Sequence, residues 1–328
     1  MTDWIDDTRE EPIDPELPIC DAHHHLWDDP RQRYLTEEYL DDARGHNVTS
    51  TIYVECLREY RETGPQHLRP VGETEHIHRL TEASQRCETR LAAAIVGFAD
   101  LTIGSAVEEV LTAHMQASDR FRGIRYATAW DADSRIHAAH TRPSAALLEN
   151  SSFREGYSQL SKHGLVFDAW LYFHQINELC DLAAAFPDTQ IVLNHIGGPI
   201  GIGPYADQRA TVLRRWRKSI ARLARYPNVA VKLGGMAMKS AGFNWHKQPS
   251  PPTSEALAAA WHAYFSYCIE LFGADRCMFE SNFPVDRPSC SFVVLWNAFK
   301  RVAHSASSSE RHNLFCGTAH RIYGISPE

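Results

Sequence analysis

Short apolar runs alternate along the chain with longer segments in which apolar residues recur at helical spacing. Eight short runs, enriched in β-branched and aromatic residues, predict β-strands. Five longer segments predict amphipathic helices. The strands are predicted at residues 19–25, 50–56, 92–100, 123–129, 165–172, 190–195, 229–233 and 277–281, and the helices at residues 74–89, 106–118, 175–186, 212–226 and 255–272.

The near-continuous apolar character of these strands is typical of a parallel sheet that is covered on both faces. Alternating strands and helices leave two architectures, an open doubly wound sheet and a closed barrel. The sequence has no glycine-rich phosphate-binding motif, whereas eight strands with polar carboxyl ends favour the barrel. We therefore predict an α/β fold, a single-domain (β/α)8 TIM barrel over residues 18–328, preceded by an acidic leader of residues 1–17. The proline-rich stretch 248–252 is expected in a loop over the barrel mouth.

Composition narrows the class of protein. Of 328 residues, 44% are hydrophobic and 23% are charged, which is typical of a folded globular protein. The formal net charge of −8 offers no basic surface for nucleic acid, and no apolar run reaches the roughly 18 residues that span a bilayer. The acidic N-terminus lacks the pattern of a signal peptide, and the eight cysteines form no Cys-x-x-Cys pair. We expect a soluble, cytoplasmic protein with reduced thiols that acts on a small molecule, without a nucleic-acid or membrane partner; homo-oligomer formation stays open.

The most distinctive polar motif lies in the first predicted strand, where residues 21–25 read Asp-Ala-His-His-His. Because side chains alternate between the two faces of a strand, Asp21, His23 and His25 are predicted on one face. Two neutral imidazoles on one face can bind a single metal ion. The alternatives are an exposed polar strand end and a chance cluster in a chain with 18 histidines.

Further polar residues lie near the ends of the following strands, where the active site of such a barrel forms. Glu55 lies near the end of the second strand. Its side chain either contacts the substrate or is a solvated residue at the rim of the barrel. Arg125 lies in the fourth strand, where its guanidinium either holds a substrate carboxylate or pairs with a neighbouring barrel carboxylate. On the fifth strand, four residues share one face by alternation: Asp168, Trp170, Tyr172 and His174.

The last three strands add candidates of their own. His195 ends the sixth strand, just before a Gly-Gly-Pro turn that aims its side chain at the mouth. Lys232 lies in the apolar seventh strand. Three roles are open for it: a carbamylated metal ligand, a base or an ion-pair partner. Glu280 and Asn282 share one face of the eighth strand.

In this order, these motifs resemble the amidohydrolase superfamily, and within it the amidohydrolase-related (amidohydrolase 2) branch that includes sugar lactonases and 2-pyrone-4,6-dicarboxylate lactonase. The resemblance covers about residues 18–326 and rests on five segments: 21–28, 123–125, 192–199, 278–284 and 313–324. It implies a barrel whose mouth is faced by two histidines of the first strand, one of the sixth and an aspartate of the eighth. His23, His25 and His195 occupy the histidine positions, and Asn282 replaces the aspartate.

Asn282 departs from the family pattern, in which the aspartate binds metal or takes a proton from the attacking water. An amide does neither well, because it has no basic lone pair at neutral pH. Glu280 could instead only hold Lys232 in a core ion pair. Three substitutes for the aspartate are open: Glu280 from deeper in the barrel, Asp286 folding back from the following loop, or a histidine base, His174 or His195.

The resemblance implies a hydrolase that opens a small cyclic ester, a carboxylated or hydroxylated lactone, by water attack at a histidine-lined mouth. His23, His25 and His195 would bind a divalent metal ion, with Zn²⁺ expected, or act as hydrogen-bond donors in a metal-independent site. Proton transfer would fall to His174, His195, Glu280 or Asp286. The residues expected to contact the substrate are Arg125, Trp170, Tyr172 and Glu55.

Two other functions stay open from the sequence. A metal-dependent decarboxylase or another carbon–carbon lyase of the same superfamily needs no base for water, which fits Asn282. The second of these functions is the binding of a small molecule by a non-catalytic barrel. The leading hypothesis requires that His195 meets His23 and His25 over one cavity.

Overall fold

The computed structural model describes residues 4–29 and 32–326, and it has the predicted barrel. Among these residues, eight parallel strands form one sheet in sequential order. The backbone N–H of Asn282 donates to the His23 carbonyl at 2.8 Å, which joins the last strand to the first and nearly closes the barrel. The strands are β1 (Ile19–His24), β2 (Val48–Val54), β3 (Arg90–Gly97), β4 (Phe121–Ala127), β5 (Val166–Trp170), β6 (Ile191–Leu193), β7 (Val229–Leu233) and β8 (Cys277–Phe279).

A helix lies in each of the five predicted segments, and the structure has further helices that the prediction lacks. The segment predicted as one helix over 74–89 ends at Leu80 and continues as a short 3₁₀ turn, Ala83–Arg86. The helix Phe292–Val302 is one of those without a counterpart in the prediction, although its buried residues Phe292, Leu295, Trp296 and Phe299 recur at helical spacing. The α-helices of the described residues are α1 (Thr36–Asp42), α2 (Val71–Leu80), α3 (Val107–Ala117), α4 (Ser151–Tyr157), α5 (Gln159–Lys162), α6 (Ile176–Ala185), α7 (Arg209–Leu223), α8 (Ser254–Phe272), α9 (Phe292–Val302), α10 (Ser308–His312) and α11 (Thr318–Tyr323).

The interior of the barrel contains a charged layer below the mouth. Lys232 Nζ lies 2.6 Å from Asp168 Oδ2, and both side chains are fully buried. The same oxygen accepts from the Asn194 amide at 2.8 Å, and Asp168 Oδ1 accepts from the Tyr323 hydroxyl at 2.6 Å. Tyr323 belongs to α11, so the C-terminal helix supplies part of this network from the end of the barrel opposite the mouth. A buried ion pair needs such hydrogen bonds to offset its desolvation.

The leader packs on the outside of the barrel. Asn297 Oδ1 accepts from the backbone N–H of Ile13 at 2.8 Å, and Lys300 Nζ donates to the Ile13 carbonyl at 2.6 Å. The Thr8 hydroxyl donates to the carbonyl of Pro251 at 2.9 Å. The proline-rich stretch therefore contacts the leader, and it belongs to the β7–α8 loop, from which Met238 lines the mouth.

Two further expectations can be compared with the structure. No helix within the described ranges has both the length and the apolar character that a bilayer crossing requires. All eight cysteines are free thiols, and Cys87 is the exposed member of the set. The thiols therefore pack mainly as small apolar side chains.

We expect Tyr323→Phe to lower the free energy of unfolding by about 1–3 kcal/mol, because it leaves a buried oxygen of Asp168 without its donor. Urea unfolding followed by circular dichroism measures the change. Tyr264→Phe is the matched control: this tyrosine is also buried, but its hydroxyl has no hydrogen-bond partner among the described residues. Equal losses in the two variants would show that the bond to Asp168 contributes nothing specific.

Candidate active site

The strand β1 brings its histidines to the mouth through an irregularity in its pairing with β2. The register shifts between Asp21 and His24, so strict alternation does not hold there. Asp21 accepts hydrogen bonds from the Tyr39 hydroxyl and the Ser281 N–H, each at 2.8 Å. It does not share the environment of His23, and the prediction that both lie on one face with His25 is wrong for Asp21.

His195 meets the histidines of β1, as the leading hypothesis requires. The ring centroids of His23 and His195 are 4.6 Å apart, and those of His23 and His25 are 4.9 Å apart. His195 has a left-handed backbone conformation, with φ of 53°. A Cβ atom at Gly235 would lie 2.6 Å from the Cβ of His195, so the turn that follows β7 needs glycine at this position for His195 to fit.

Glu280 links His195 to His23. Its Oε1 accepts from the His195 backbone N–H at 3.0 Å and from His195 Nδ1 at 2.7 Å. Its Oε2 lies 3.0 Å from His23 Nδ1, but these two atoms are not aligned for a hydrogen bond. The three side chains offer ligand atoms that all lie within 4.8 Å of one another. Lys232 pairs with Asp168, so the alternative in which Glu280 only holds Lys232 is wrong.

Burial keeps the histidines of β1 neutral. Desolvation lowers the pKa of His23 well below its usual range, and the nearby positive charge of Lys232 lowers it further. The pKa of His25 is lowered in the same way by burial and then by Arg125. Neutral imidazoles are the form that binds metal ions.

The Nε2 atoms of His23 and His25 face each other at 3.2 Å. His25 Nδ1 donates to the Val54 carbonyl at 2.7 Å, so the neutral ring carries a bare lone pair on Nε2. We assign the hydrogen of His23 to Nδ1, beside Glu280, because Arg125 Nη1 approaches the other nitrogen of that ring at 3.4 Å. Two lone pairs then oppose each other, an arrangement that a shared cation relieves.

Arg125 and Glu55 form a buried ion pair beside these histidines. Arg125 Nε donates to Glu55 Oε1 at 2.7 Å, and Arg125 also donates to the Glu55 carbonyl. Burial alone would raise the pKa of Glu55, but the charges of Arg125 and His140 outweigh it and hold this pKa at about 2. Glu55 has no exposed surface and does not line the cavity described below, so its predicted role as a direct substrate contact is not supported.

Asn282 lies at the mouth with Asp286 behind it. The Asn282 amide donates to Asp286 Oδ1 at 2.9 Å, and Asp286 Oδ2 accepts from the backbone N–H of Ala237 at 3.2 Å. Burial raises the pKa of Asp286 well above its usual range. Asp286 does not line the cavity, so the expectation that it folds over the site is wrong; it holds the Asn282 amide instead.

A cavity of about 200 Å³ joins these residues at the mouth. The Trp170 ring meets the edge of His195 at 4.8 Å, and the Trp27 ring stacks on His25 at 6.0 Å. A larger depression of about 610 Å³ beside Tyr60 contains none of the three clustered imidazoles. The cavity is lined by His25, Trp27, Cys56, Arg125, His140, Trp170, His195, Met238, Asn282 and Val285.

Two predicted site residues lie outside this cavity. Tyr172 donates its hydroxyl to the His137 carbonyl at 2.7 Å, and His174 Nε2 lies 3.0 Å from the Trp130 carbonyl. Strand β5 ends at Trp170, and a 3₁₀ turn then redirects the chain, so the alternation that grouped these residues with Trp170 stops there. Neither residue is therefore in position as base or substrate contact.

Sequence reasoning missed His140, which lies in the long loop after β4. Its Nε2 is 3.2 Å from Glu55 Oε1, and its side chain is 28% exposed. The search for polar residues at strand ends could not find it, because it lies well beyond the strand, and no spacing in the sequence relates it to Glu55.

Comparisons with known proteins give the same assignment along most of the chain. The sequence matches the amidohydrolase family (Amidohydro_2) over residues 20–325. Uncharacterized protein y4mH of Sinorhizobium fredii (strain NBRC 101917 / NGR234) is 32% identical over 332 residues, covering 94% of this chain and 99% of its own. The L-fucono-1,5-lactonase of Burkholderia multivorans (strain ATCC 17616 / 249) is 25% identical over 323 residues, covering 93% and 95%.

The fold has a solved counterpart as well. The crystal structure of an amidohydrolase from Burkholderia multivorans with bound zinc superposes with a TM-score of 0.71 at 24% identity, covering 94% of this chain and 99% of that one. The resemblance predicted from the motifs is thus confirmed, and the chain belongs to the amidohydrolase family.

Proposed function

We propose that this protein hydrolyses a small lactone at the cavity in the barrel mouth. The observation that carries the proposal is the His195–Glu280 pair. Glu280 fixes Nδ1 of the His195 ring at 2.7 Å, and Nε2 has no hydrogen-bond partner among the described residues while the side chain lines the cavity. An imidazole oriented by a carboxylate is the arrangement of a general base. The near-full-length similarity to an L-fucono-1,5-lactonase supports a cyclic ester as the substrate.

A metal ion fits the donor set of this site. Adjacent ligand atoms in a tetrahedral zinc site lie about 3.3 Å apart, given Zn–N distances of about 2.0–2.1 Å. The Nε2 atoms of His23 and His25 lie 3.2 Å apart, and the tautomers assigned above place a lone pair on each of them. We infer that His23 and His25 would hold the ion through their Nε2 atoms, and the zinc bound in the related Burkholderia multivorans structure supports a metal here. His195, the third predicted ligand, is assigned to proton transfer instead, because its Nδ1 is bonded to Glu280 and its Nε2 cannot serve both tasks. A bound zinc ion supplies a Lewis acid for the carbonyl and lowers the pKa of a bound water.

The residues of this chain have distinct tasks around that centre. Arg125 is tied to Glu55 through Nε, and as a cavity residue it orients an anionic or polar group of the substrate. His195 accepts the proton of the attacking water at Nε2, and Glu280 stabilises the imidazolium that forms. The Asn282 amide nitrogen is held by Asp286, which leaves its carbonyl oxygen to accept a hydrogen bond from water.

The cavity also limits the size of the substrate. A volume of about 200 Å³ is smaller than the usual range of about 300–1,000 Å³ for drug-sized ligands. A single ring with a few hydroxyl or carboxylate groups fits this space. Trp27, Trp170 and Met238 supply apolar walls against which a sugar-like ring can pack and from which water is excluded.

We expect the wild-type protein to hydrolyse members of a panel of sugar lactones and carboxylated lactones, with proton release as the measurement. His195→Asn should lower kcat by about 10²–10⁴-fold, because it removes the base. His174→Asn is the control, since that histidine lies outside the cavity, and it should retain activity. Release of CO₂ from aromatic carboxylates, with no lactone opened, would favour the lyase alternative that Asn282 motivates. If the protein shows neither lactone hydrolysis nor CO₂ release, that result would favour a binding protein.

A second prediction concerns the carboxylate that holds the two imidazoles. Glu280→Gln should weaken zinc binding by about 10–100-fold, because carboxylates behind ligating histidines raise ligand basicity and fix ring orientation. Competition with a chromophoric chelator measures the affinity. Glu178→Gln on α6 is the control and should leave the affinity unchanged. Unchanged affinity in the Glu280 variant would mean that zinc binds elsewhere.

Asn282→Asp tests the departure from the family pattern. A carboxylate at this position adds an oxygen donor beside the imidazoles, so zinc affinity should rise by about tenfold or more. The zinc content of protein dialysed against a fixed chelator concentration provides the measurement. Asn297→Asp, a change of the same chemistry under the leader, should have no such effect. No gain in zinc would indicate that the mouth is rebuilt around the amide.

A further inference from the structure

The loop after β4 holds His140 in a fixed place. On one side, the Ala139 N–H donates to the Ala129 carbonyl at 2.7 Å. On the other side, the Thr141 hydroxyl donates to the Ala127 carbonyl. Both acceptors lie at the end of β4 or just past it, so the chain is tethered to the barrel immediately before and after His140. Such anchoring keeps the imidazole at the rim of the cavity.

A buried carboxylate lies against the His140 ring. His140 Nε2 lies 3.2 Å from Glu55 Oε1, which also accepts from Arg125 Nε at 2.7 Å. The ion pair with Arg125 keeps Glu55 ionised although it is fully buried, and its pKa of about 2 agrees with this. An ionised carboxylate can accept a hydrogen bond from the N–H of an adjacent imidazole.

The cavity therefore has two imidazole–carboxylate pairs on different sides. His195 and Glu280 come from the ends of β6 and β8, whereas Glu55 follows β2 and His140 follows β4. In a barrel with sequential strand order, these pairs of strands lie in opposite halves. Two proton-transfer groups on either side of one substrate are what acid–base hydrolysis requires.

We propose that His140 donates the proton that the leaving oxygen of the lactone needs, with Glu55 as its positioning residue; this rests on the proposed lactone hydrolysis. Water attacks the carbonyl carbon, a new C–O bond forms, and His195 takes one proton from the water. The bond between the carbonyl carbon and the ring oxygen then breaks, and His140 protonates that oxygen to a hydroxyl. The product is the open hydroxy acid, and solvent carries the proton from His195 back to His140.

The other titratable residues that line the cavity are poorly suited to this step. Arg125 stays protonated at neutral pH and cannot act as an acid. The single hydrogen of neutral His25 is donated to the Val54 carbonyl. Burial raises the pKa of the Cys56 thiol well above its usual range. His140, with 28% of its side chain exposed, can be reprotonated from solvent after each turnover.

The test compares a lactone with the thiolactone of the same ring. An alkoxide leaving group is about as basic as hydroxide and needs a proton, whereas a thiolate, with a conjugate-acid pKa near about 8.5, leaves without one. His140→Gln should lower kcat for the lactone by about 10²–10⁴-fold and change kcat for the thiolactone by less than about fivefold. Imidazole added to His140→Ala should restore part of the lactone activity. His137→Gln, an exposed histidine of the same loop, is the control.

The outcomes separate this role from the activity itself. Equal losses on both substrates would mean that His140 only supports the fold or binding, and no loss on either would mean that it takes no part; both overturn the proposal. A wild-type protein that opens no lactone overturns the proposed function and the role of His140 with it. Selective loss on the lactone, with rescue by imidazole, supports the proton-donor role.

Discussion

The site depends on one buried carboxylate that serves two imidazoles. Glu280 accepts two hydrogen bonds from His195 and lies within 3.0 Å of the His23 ring. Lys232 and Arg125 each face another carboxylate, so among the described residues the hydrogen bonds to Glu280 come from His195 rather than from a lysine or an arginine. A negative charge in this setting favours a positive charge nearby. A metal ion between the histidines, or an imidazolium formed during the reaction, would supply it.

The surrounding structure keeps that charge in place. Below it, Asp168 and Lys232 neutralise each other, and Tyr323 from the C-terminal helix completes their hydrogen bonds. On one side, Arg125 neutralises Glu55. The interior of the barrel is therefore arranged as separate charge pairs, each with its own hydrogen bonds, as buried ions require. This arrangement leaves Glu280 as the carboxylate that can respond to chemistry at the mouth.

The replacement of the family aspartate by Asn282 fits the same arrangement. A carboxylate at this position would add a second negative charge to a site that already contains Glu280. The amide has no charge, and burial raises the pKa of Asp286 behind it well above its usual range. In the proposed lactone hydrolysis, the proton-accepting task would fall to His195, whose ring is held by Glu280.

The order of strands and helices along the chain was enough to predict the barrel, and the motifs at the strand ends were enough to predict that His23, His25 and His195 meet. Local patterns encode these features, because the alternation of strands and helices selects a parallel barrel and brings the carboxyl ends of all strands to one mouth. The tertiary structure alone decided which acid pairs with which base. Lys232 pairs with Asp168 rather than Glu280, Asp286 lies behind Asn282, and His140 reaches Glu55 from a loop. These contacts depend on distances across the barrel and on the paths of irregular loops, for which no periodicity along the chain provides a rule.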